Sequence, residues 1–278
     1  MKIRVFSYNN LDTPVHRMSG LSKFICFLLL SFTVMFSFDI RVILCVMVFS
    51  LWALRISRIR YSQIKGMIMY VAVFLLVNFI LSYLFSPEQG PMIYGTHHEF
   101  LRIYGSYTFT LEQLLYQGTK TMKYASVIPL GIIFLFTTNP SEFASALNGV
   151  KVHYKAAYAV ALTLRYFPDI QRSYNDISMA QQARGLDMSK KVKLGRRFKN
   201  ALLIIIPLIL STMDRIEGIS NAMDLRGFGK KKTRTWYSRG AFSRLDWTAV
   251  AVSSAIFAAS IIISVFVNHS RFFNPFVR

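Results

Sequence analysis

Ala201-Leu202-Leu203-Ile204-Ile205-Ile206-Pro207-Leu208-Ile209-Leu210-Ser211-Thr212-Met213 is an apolar run with basic segments on both sides, and whether it crosses a bilayer decides the fold. A spanning helix needs about 20 apolar residues, and this run has 13. If it crossed, either residues 169–200 or residues 214–246 would lie outside, and each segment carries eight Lys/Arg. Basic loops stay on the cytoplasmic side. The run is therefore read as a helix in or near the interface, or packed against a second run of similar length at 156–168. Pro207 should bend it. The alternative is two extra short spans, a hairpin that would export 169–200.

Working outward, the whole basic stretch 138–246 holds 19 Lys/Arg and is placed inside. Candidate spans lie on either side of it: 21–38, 40–54, 66–85 and 119–137 before it, and 247–268 after it. Pro129 falls inside the fourth as an expected kink, and Trp247 opens the last as an interface anchor. Residues 1–23 hold Lys2, Arg4, Arg17 and Lys23, and residues 55–65 hold Arg55, Arg58, Arg60 and Lys65, so both are read as cytoplasmic. The loop 86–118 has Arg102 against Glu88, Glu99 and Glu112, and is read as an irregular external cap. Ser189 and Ser238 are then expected inside and Gly95 outside. The expected fold is all-α and polytopic, with about five spans. Residues 1–137 form the N-terminal transmembrane part, 138–246 a cytoplasmic-side coupling domain and 247–278 a C-terminal transmembrane helix.

Composition agrees. The chain is 53% hydrophobic and 17% charged, below the quarter usual for soluble domains. Its net charge of +20 would suggest nucleic acid in a soluble protein, but the cations sit between apolar runs and no reading module accompanies them. Cys26 and Cys45 fall inside apolar runs, so no disulfide framework is expected. The first apolar run continues past the length of a signal-peptide core, with no small-x-small site after it.

Two stretches in the basic region echo each other. Ser178-Met179-Ala180-Gln181-Gln182-Ala183-Arg184-Gly185 and Ser220-Asn221-Ala222-Met223-Asp224-Leu225-Arg226-Gly227 share Ser, Ala, Arg and Gly at one offset. A single Arg-Gly pair reads as a helix terminus, with Gly in the left-handed region and Arg complementing the helix dipole. Two matched copies read as two equivalent docking ends. Arginine offers a planar fork that pairs bidentately with a carboxylate, which lysine cannot do. An amphipathic helix would present it to a groove.

With these motifs the chain resembles the transmembrane T component of an energy-coupling factor (ECF) transporter, the EcfT/CbiQ-type family. The family's two Ala-Arg-Gly motifs match Ala183-Arg184-Gly185 and Leu225-Arg226-Gly227, with Leu225 in place of alanine. Further matches are Asp12-Thr13-Pro14-Val15-His16-Arg17, Thr137-Thr138-Asn139-Pro140, Leu164-Arg165-Tyr166-Phe167-Pro168, Ile206-Pro207-Leu208 and Arg226-Gly227-Phe228-Gly229. The loop 86–118 is not covered. The resemblance implies a multi-pass subunit of the bacterial cell membrane, N-terminus cytoplasmic, in a vitamin or metal-ion importer. It implies a non-catalytic lever between two cytoplasmic ABC-type ATPases, which bind the ATP and Mg, and a membrane-embedded S component that binds the substrate. Residues 183–185 and 225–227 would dock the ATPases, with Arg184 and Arg226 pairing with acidic residues there.

The apolar coupling helices are the expected contact for the S component, through the smooth Ala157 and Ala161 and the greasy Ile205 and Ile209. The plainer alternative is packing against this chain's own spans. Competing function classes are a membrane-embedded enzyme and a passive or secondary transporter. The first should offer polar catalytic pairs and the second polar residues at mid-span, and the spans are almost uniformly apolar.

Other features carry no chemistry on this reading. Gly227-Phe228-Gly229-Lys230-Lys231-Lys232-Thr233 lacks phosphate-loop spacing. His97-His98 is adjacent, a poor metal pair, and no metal site is expected. Asp39 sits at a turn rather than at mid-membrane. Lys190-Lys191-Val192-Lys193 with Arg196-Arg197 reads as a lipid-headgroup contact or a solvated face.

Overall fold

The computed structural model describes residues 13–104, 107–187, 193–231, 233, 235–238, 240–268 and 270–275. Lys2, Arg4, Asp12, Ser189, Lys190, Lys191, Val192 and Lys232 lie outside the described residues. The chain is an all-α membrane architecture with one small hairpin. It divides into two compact units, one formed by residues 1–139 with 240–278 and the other by residues 140–239.

In the first unit the helices are α1 Pro14–Arg17, α2 Gly20–Phe36, α3 Ile40–Ile56, α4 Tyr61–Phe85 and α5 Gln89–Tyr94. Strands β1 Glu99–Tyr104 and β2 Tyr107–Thr110 follow, then α6 Leu111–Thr137 and, from the far end of the chain, α10 Arg244–Ile262 running into a π-helical turn, Ile263–Val267. Short polar residues start these helices. Ser19, Asp39, Thr110 and Ser243 each accept a backbone N–H of the first turn, which satisfies donors the helix leaves orphaned.

The helix α2 packs on α6 and α10, and α3 packs on α6. Leu30, Val34, Val46 and Leu130 are buried at their centre, with Phe27, Phe49, Val127 and Ile256 around them. Phe24 and Phe27 meet Phe134 at ring centroid distances of 5.7 and 5.1 Å.

Buried polar groups fix the ends of this bundle. Lys23, near the start of α2, donates to the Thr137 carbonyl at the end of α6 (2.8 Å) and to the His16 carbonyl (3.2 Å). Lys123 of α6 donates to the Met35 carbonyl at the end of α2 (2.7 Å) and lies 3.4 Å above the Phe38 ring. Each lysine of this antiparallel pair thus caps the other helix's C-terminus, where orphan carbonyls and the dipole favour a cation. Asp246 closes a capping box with Ser243 and also accepts from the Ser19 N–H (2.8 Å) and the Ser22 hydroxyl, which locks the start of α10 to the start of α2. Asp39 accepts from Asn268 (2.8 Å), so this carboxylate at a turn holds the C-terminal stretch.

The cap 86–118 is more ordered than its composition suggests, and the expected irregular loop is corrected to a short helix and an antiparallel hairpin. Glu99 pairs with Thr110, Arg102 with Thr108 and Tyr104 with Tyr107. The helix α6 begins at Leu111, ahead of the expected 119, because Thr110 caps it there. Glu112 is fully buried and accepts from the Thr96 hydroxyl (2.9 Å) and the His98 N–H, and its carboxylate lies 2.6 Å from His98 Nδ1. His98 is therefore tied to Glu112 through both its backbone and its ring.

Gly90 of α5 lies against the α6 backbone, where an added Cβ would sit 2.4 Å from Gln113 Cα. Its N–H donates to Gln113 Oε1 at 2.6 Å. Gly90→Ala is expected to destabilise the cap by about 1–3 kcal/mol through forced separation of α5 and α6. Thermal unfolding of the purified chain in detergent checks this, and an unchanged midpoint would mean that α5 moves away freely.

Among the described residues two helices are long and apolar enough to cross a bilayer, Tyr61–Phe85 and Arg244–Val267, and Leu111–Thr137 passes the same test jointly with the helix after it. Helices α2 and α3 have 17 residues each, so each rises about 25 Å against a hydrocarbon core of about 30 Å.

The second unit contains α7 Pro140–Gly149, α8 Tyr154–Ala183 and α9 Leu194–Leu225. The apolar runs 156–168 and 201–213 are not separate short helices. They are parts of helices of 30 and 32 residues, about 45 Å long. Pro168 and Pro207 are accommodated inside them. Helix α8 packs on both α7 and α9.

Candidate coupling ends and comparison with known proteins

Arg184 is the C-cap of α8 and Arg226 the C-cap of α9, with nearly identical backbone angles (φ −81°, ψ 8° and φ −84°, ψ 8°). The glycine after each is left-handed, at φ 88° for Gly185 and 67° for Gly227. The hydrogen bonds repeat as well. The N–H of Gly185 donates to the Gln182 carbonyl (2.9 Å) and that of Leu186 to the Gln181 carbonyl (3.1 Å). Likewise Gly227 donates to Asp224 (2.9 Å) and Phe228 to Met223 (3.0 Å). Both ends are Schellman caps, in which the glycine reverses the chain and the last carbonyls are satisfied.

The plain helix-terminus reading and the docking reading of the Arg-Gly pair are thus compatible. The glycine serves the cap, and the cap fixes where the arginine backbone stands. Both arginines are exposed, and neither guanidinium has a hydrogen bond or ion pair among the described residues. Ala183 is exposed, and Leu225 is 90% exposed, so the residue that departs from alanine serves no packing in its own unit.

The second end is anchored and the first is not anchored in the same way. Phe228 packs on Tyr154 and Tyr158 of α8 at centroid distances of 5.7 and 4.8 Å. Tyr158 also meets Trp236 (6.3 Å), whose indole N–H donates to Asn148 Oδ1 (3.0 Å). Gly229 is left-handed too, at φ 94°, and its missing Cβ would stand 3.3 Å from Lys155 Nζ. The glycine-lysine stretch is therefore a chain reversal pinned by Phe228. Phe228 stands in two of the stretches quoted from the sequence, but its role as an anchor on α8 is a finding of the structure. The available signal is an aromatic residue just after a cap glycine, a position that commonly packs back on its helix.

The four residues expected to meet a membrane partner are divided by burial. Ala157 is fully buried and Ala161 half-buried, whereas Ile205 and Ile209 are 39% and 51% exposed. Ile204, immediately before Ile205, is fully buried. The outward part of that surface is on α9, where Leu202, Leu203, Ile206, Leu210 and Met213 are exposed as well. Arg196, Arg197, Phe198 and Lys199 are exposed on the first turn of the same helix.

The cobalt transport protein (CbiQ) family model matches residues 12–237, which takes in α2 to α9 and both Arg-Gly ends. The chain belongs to this family. It is 27% identical over 256 residues to the energy-coupling factor transporter transmembrane protein EcfT of Bacillus subtilis, covering 88% of this chain and 91% of that one. It is 25% identical over 259 residues to the EcfT of Bacillus selenitireducens, covering 90% and 92%. A stretch of 153 residues, 51% of this chain, is 30% identical to 18% of a putative ABC transporter ATP-binding protein of Bifidobacterium longum. As a CbiQ/EcfT family member the chain is a multi-pass membrane protein of transport, a transmembrane component of the ECF type. The family match runs across the cap 86–118, which the motif resemblance leaves out.

Proposed function

We propose that this chain couples ATP-driven conformational change to substrate import as the non-catalytic membrane subunit of an ECF-type transporter, for a vitamin or a metal ion. One observation carries the proposal: two helices of one unit end in superposable Schellman caps, each holding an exposed arginine without a partner among the described residues. Two matched ends suit two like partners. Arg184 and Arg226 each enter the groove of one ABC-type ATPase and pair with acidic side chains there. The likeness between part of this chain and part of a protein named as an ATP-binding transporter subunit supports that partnership. The ATPases bind ATP and Mg. When they close, α8 and α9 are moved as rigid levers of about 45 Å, and their exposed apolar surface shifts a membrane-embedded S component that carries the substrate. Charge reversal at both arginines, with ATPase co-purification as readout, tests the proposal.

The same reading places the N-terminus and the second unit on the cytoplasmic side, from the Lys/Arg distribution. In a chain with Cys26 and Cys45 replaced, Tyr237→Cys should react with an impermeant thiol reagent only from the cytoplasmic side. Met92→Cys, in the external cap, should react only from outside. Both positions are well exposed. Labelling with the opposite sidedness would invert the topology and remove the second unit from reach of ATPases.

A further inference from the structure

The first unit contains a cleft of about 330 Å³ that no part of the coupling mechanism uses. This is at the low end of the range for small-molecule pockets, roughly 300–1,000 Å³. Its floor is Leu30 and Leu130, both buried, and its walls come from Phe27, Phe49, Ala249 and Val252 among others. Its mouth is marked by lining residues that stay exposed, Trp52 at 59% and Leu245 at 49%.

The depth follows from the helices. The lining runs from Leu245 to Ser253 on α10 and from Phe49 to Ile56 on α3, rises of about 12 and 10 Å. One leaflet of the hydrocarbon core is about 15 Å thick. A cleft of this depth, opening at one membrane face, would reach most of the way to the midplane.

The exposed charges that adjoin its mouth in sequence are arginines, while Asp246, next to Leu245, is buried and bonded to Ser19, Ser22 and Ser243. Three lining residues at helix ends adjoin an arginine in sequence: Met18 follows Arg17, Ile56 follows Arg55, and Leu245 follows Arg244. Arg58 lies two residues past Ile56, at φ 51°. All four arginines are exposed. Trp52, three residues before Arg55 on α3, has the amphipathic ring that settles at headgroup level. An apolar slot one leaflet deep, with a cationic and aromatic rim, has the chemistry of a phospholipid: acyl chain inside, anionic phosphate at the arginines.

We propose that this cleft between α1, α2, α3, α6 and α10 is a binding site for one acyl chain of an anionic phospholipid, whose headgroup is held by Arg55 and Arg244. The bound chain lies beside the α2–α10 packing, which is closed at one end by the Asp246–Ser19–Ser22 junction.

The test uses the full chain in vesicles of equal parts phosphatidylglycerol and phosphatidylcholine. A trace of either lipid carries a photoactivatable diazirine on its acyl chain, and the labelled residues are mapped by mass spectrometry. Labelling of the exposed helix α4 reports ordinary annular lipid and serves as the fold control. Phosphatidylglycerol should label the lining residues Phe49, Ala53 and Ala249 in a saturable way, with about fivefold preference over phosphatidylcholine for each arginine that meets the headgroup. Arg55→Gln with Arg244→Gln should remove that preference and leave α4 labelling unchanged. Equal labelling by both lipids in the unaltered chain would overturn the proposal. So would a lining that stays unlabelled while α4 is labelled, since the cleft would then be filled by protein.

Discussion

Changing both Arg184 and Arg226 to glutamate should release the ATPases from the membrane chain. The expected loss follows from what each arginine meets. Alone, the guanidiniums are exposed and cost the chain nothing, so reversal should leave folding intact. On the proposed docking, each would become one half of a partly buried charge pair. Removing one half of such a pair costs about 3–5 kcal/mol, a fall in affinity of roughly a hundredfold to several thousandfold. Glutamate opposite a carboxylate adds repulsion. Either single change should uncouple ATP hydrolysis from uptake, because a transporter held at one end moves one lever only. The double change should leave a folded membrane chain that purifies without ATPases. Arg→Lys at both sites should fall between, since the charge is kept and the fork is lost. Co-purification of both ATPases at the unaltered stoichiometry with the double glutamate variant would end the docking reading.

The likeness of the two ends was legible because a Schellman cap is a local device. Glycine past the last helical residue and a fixed run of backbone hydrogen bonds need only six neighbouring residues, and both copies spell it. The basic segments were legible for a similar reason, since lysine and arginine are counted, not placed. Helix length in the second unit was not read. The apolar runs 156–168 and 201–213 marked only the greasy middle of α8 and α9, while polar residues such as Gln171–Asn175 and Arg215–Asn221 carry the same helices onward. Helix formation there depends on periodic packing along α7, α8 and α9, which a count of consecutive apolar residues ignores. The hairpin in the cap 86–118 did leave a signal. Tyr104 and Tyr107-Thr108-Phe109-Thr110, rich in aromatic and β-branched residues, flank Gly105-Ser106, a pair suited to a two-residue turn. Gly and Pro content elsewhere in the loop outweighed it. The junction of Asp246 with Ser19 and Ser22 had no signal at all, because it joins positions more than two hundred residues apart in sequence.

Ile205→Asp and Ile209→Asp should separate a partner surface from an internal core. These two side chains are 39% and 51% exposed in the second unit, and their neighbours Leu202, Ile206 and Leu210 share that exposure. An apolar helix face left open must be covered by lipid or protein. If an S component covers it, an aspartate there is buried without a counter-charge when the two associate. The penalty is several kcal/mol, enough to lower S-component affinity by about a hundredfold or more. The chain should stay folded and keep its ATPases, because neither position is packed inside it. Ile204→Asp provides the contrast. Ile204 is fully buried, so its aspartate variant should destabilise the chain itself before any partner is considered. Thermal unfolding, ATPase co-purification and S-component co-purification, measured on all three variants, distinguish the cases. If Ile205→Asp and Ile209→Asp behave like Ile204→Asp, losing stability while the S component still binds, the face packs within this chain in the membrane. The lever would then have to reach the S component through another surface, and α4, apolar and exposed along its length, is the next one to test.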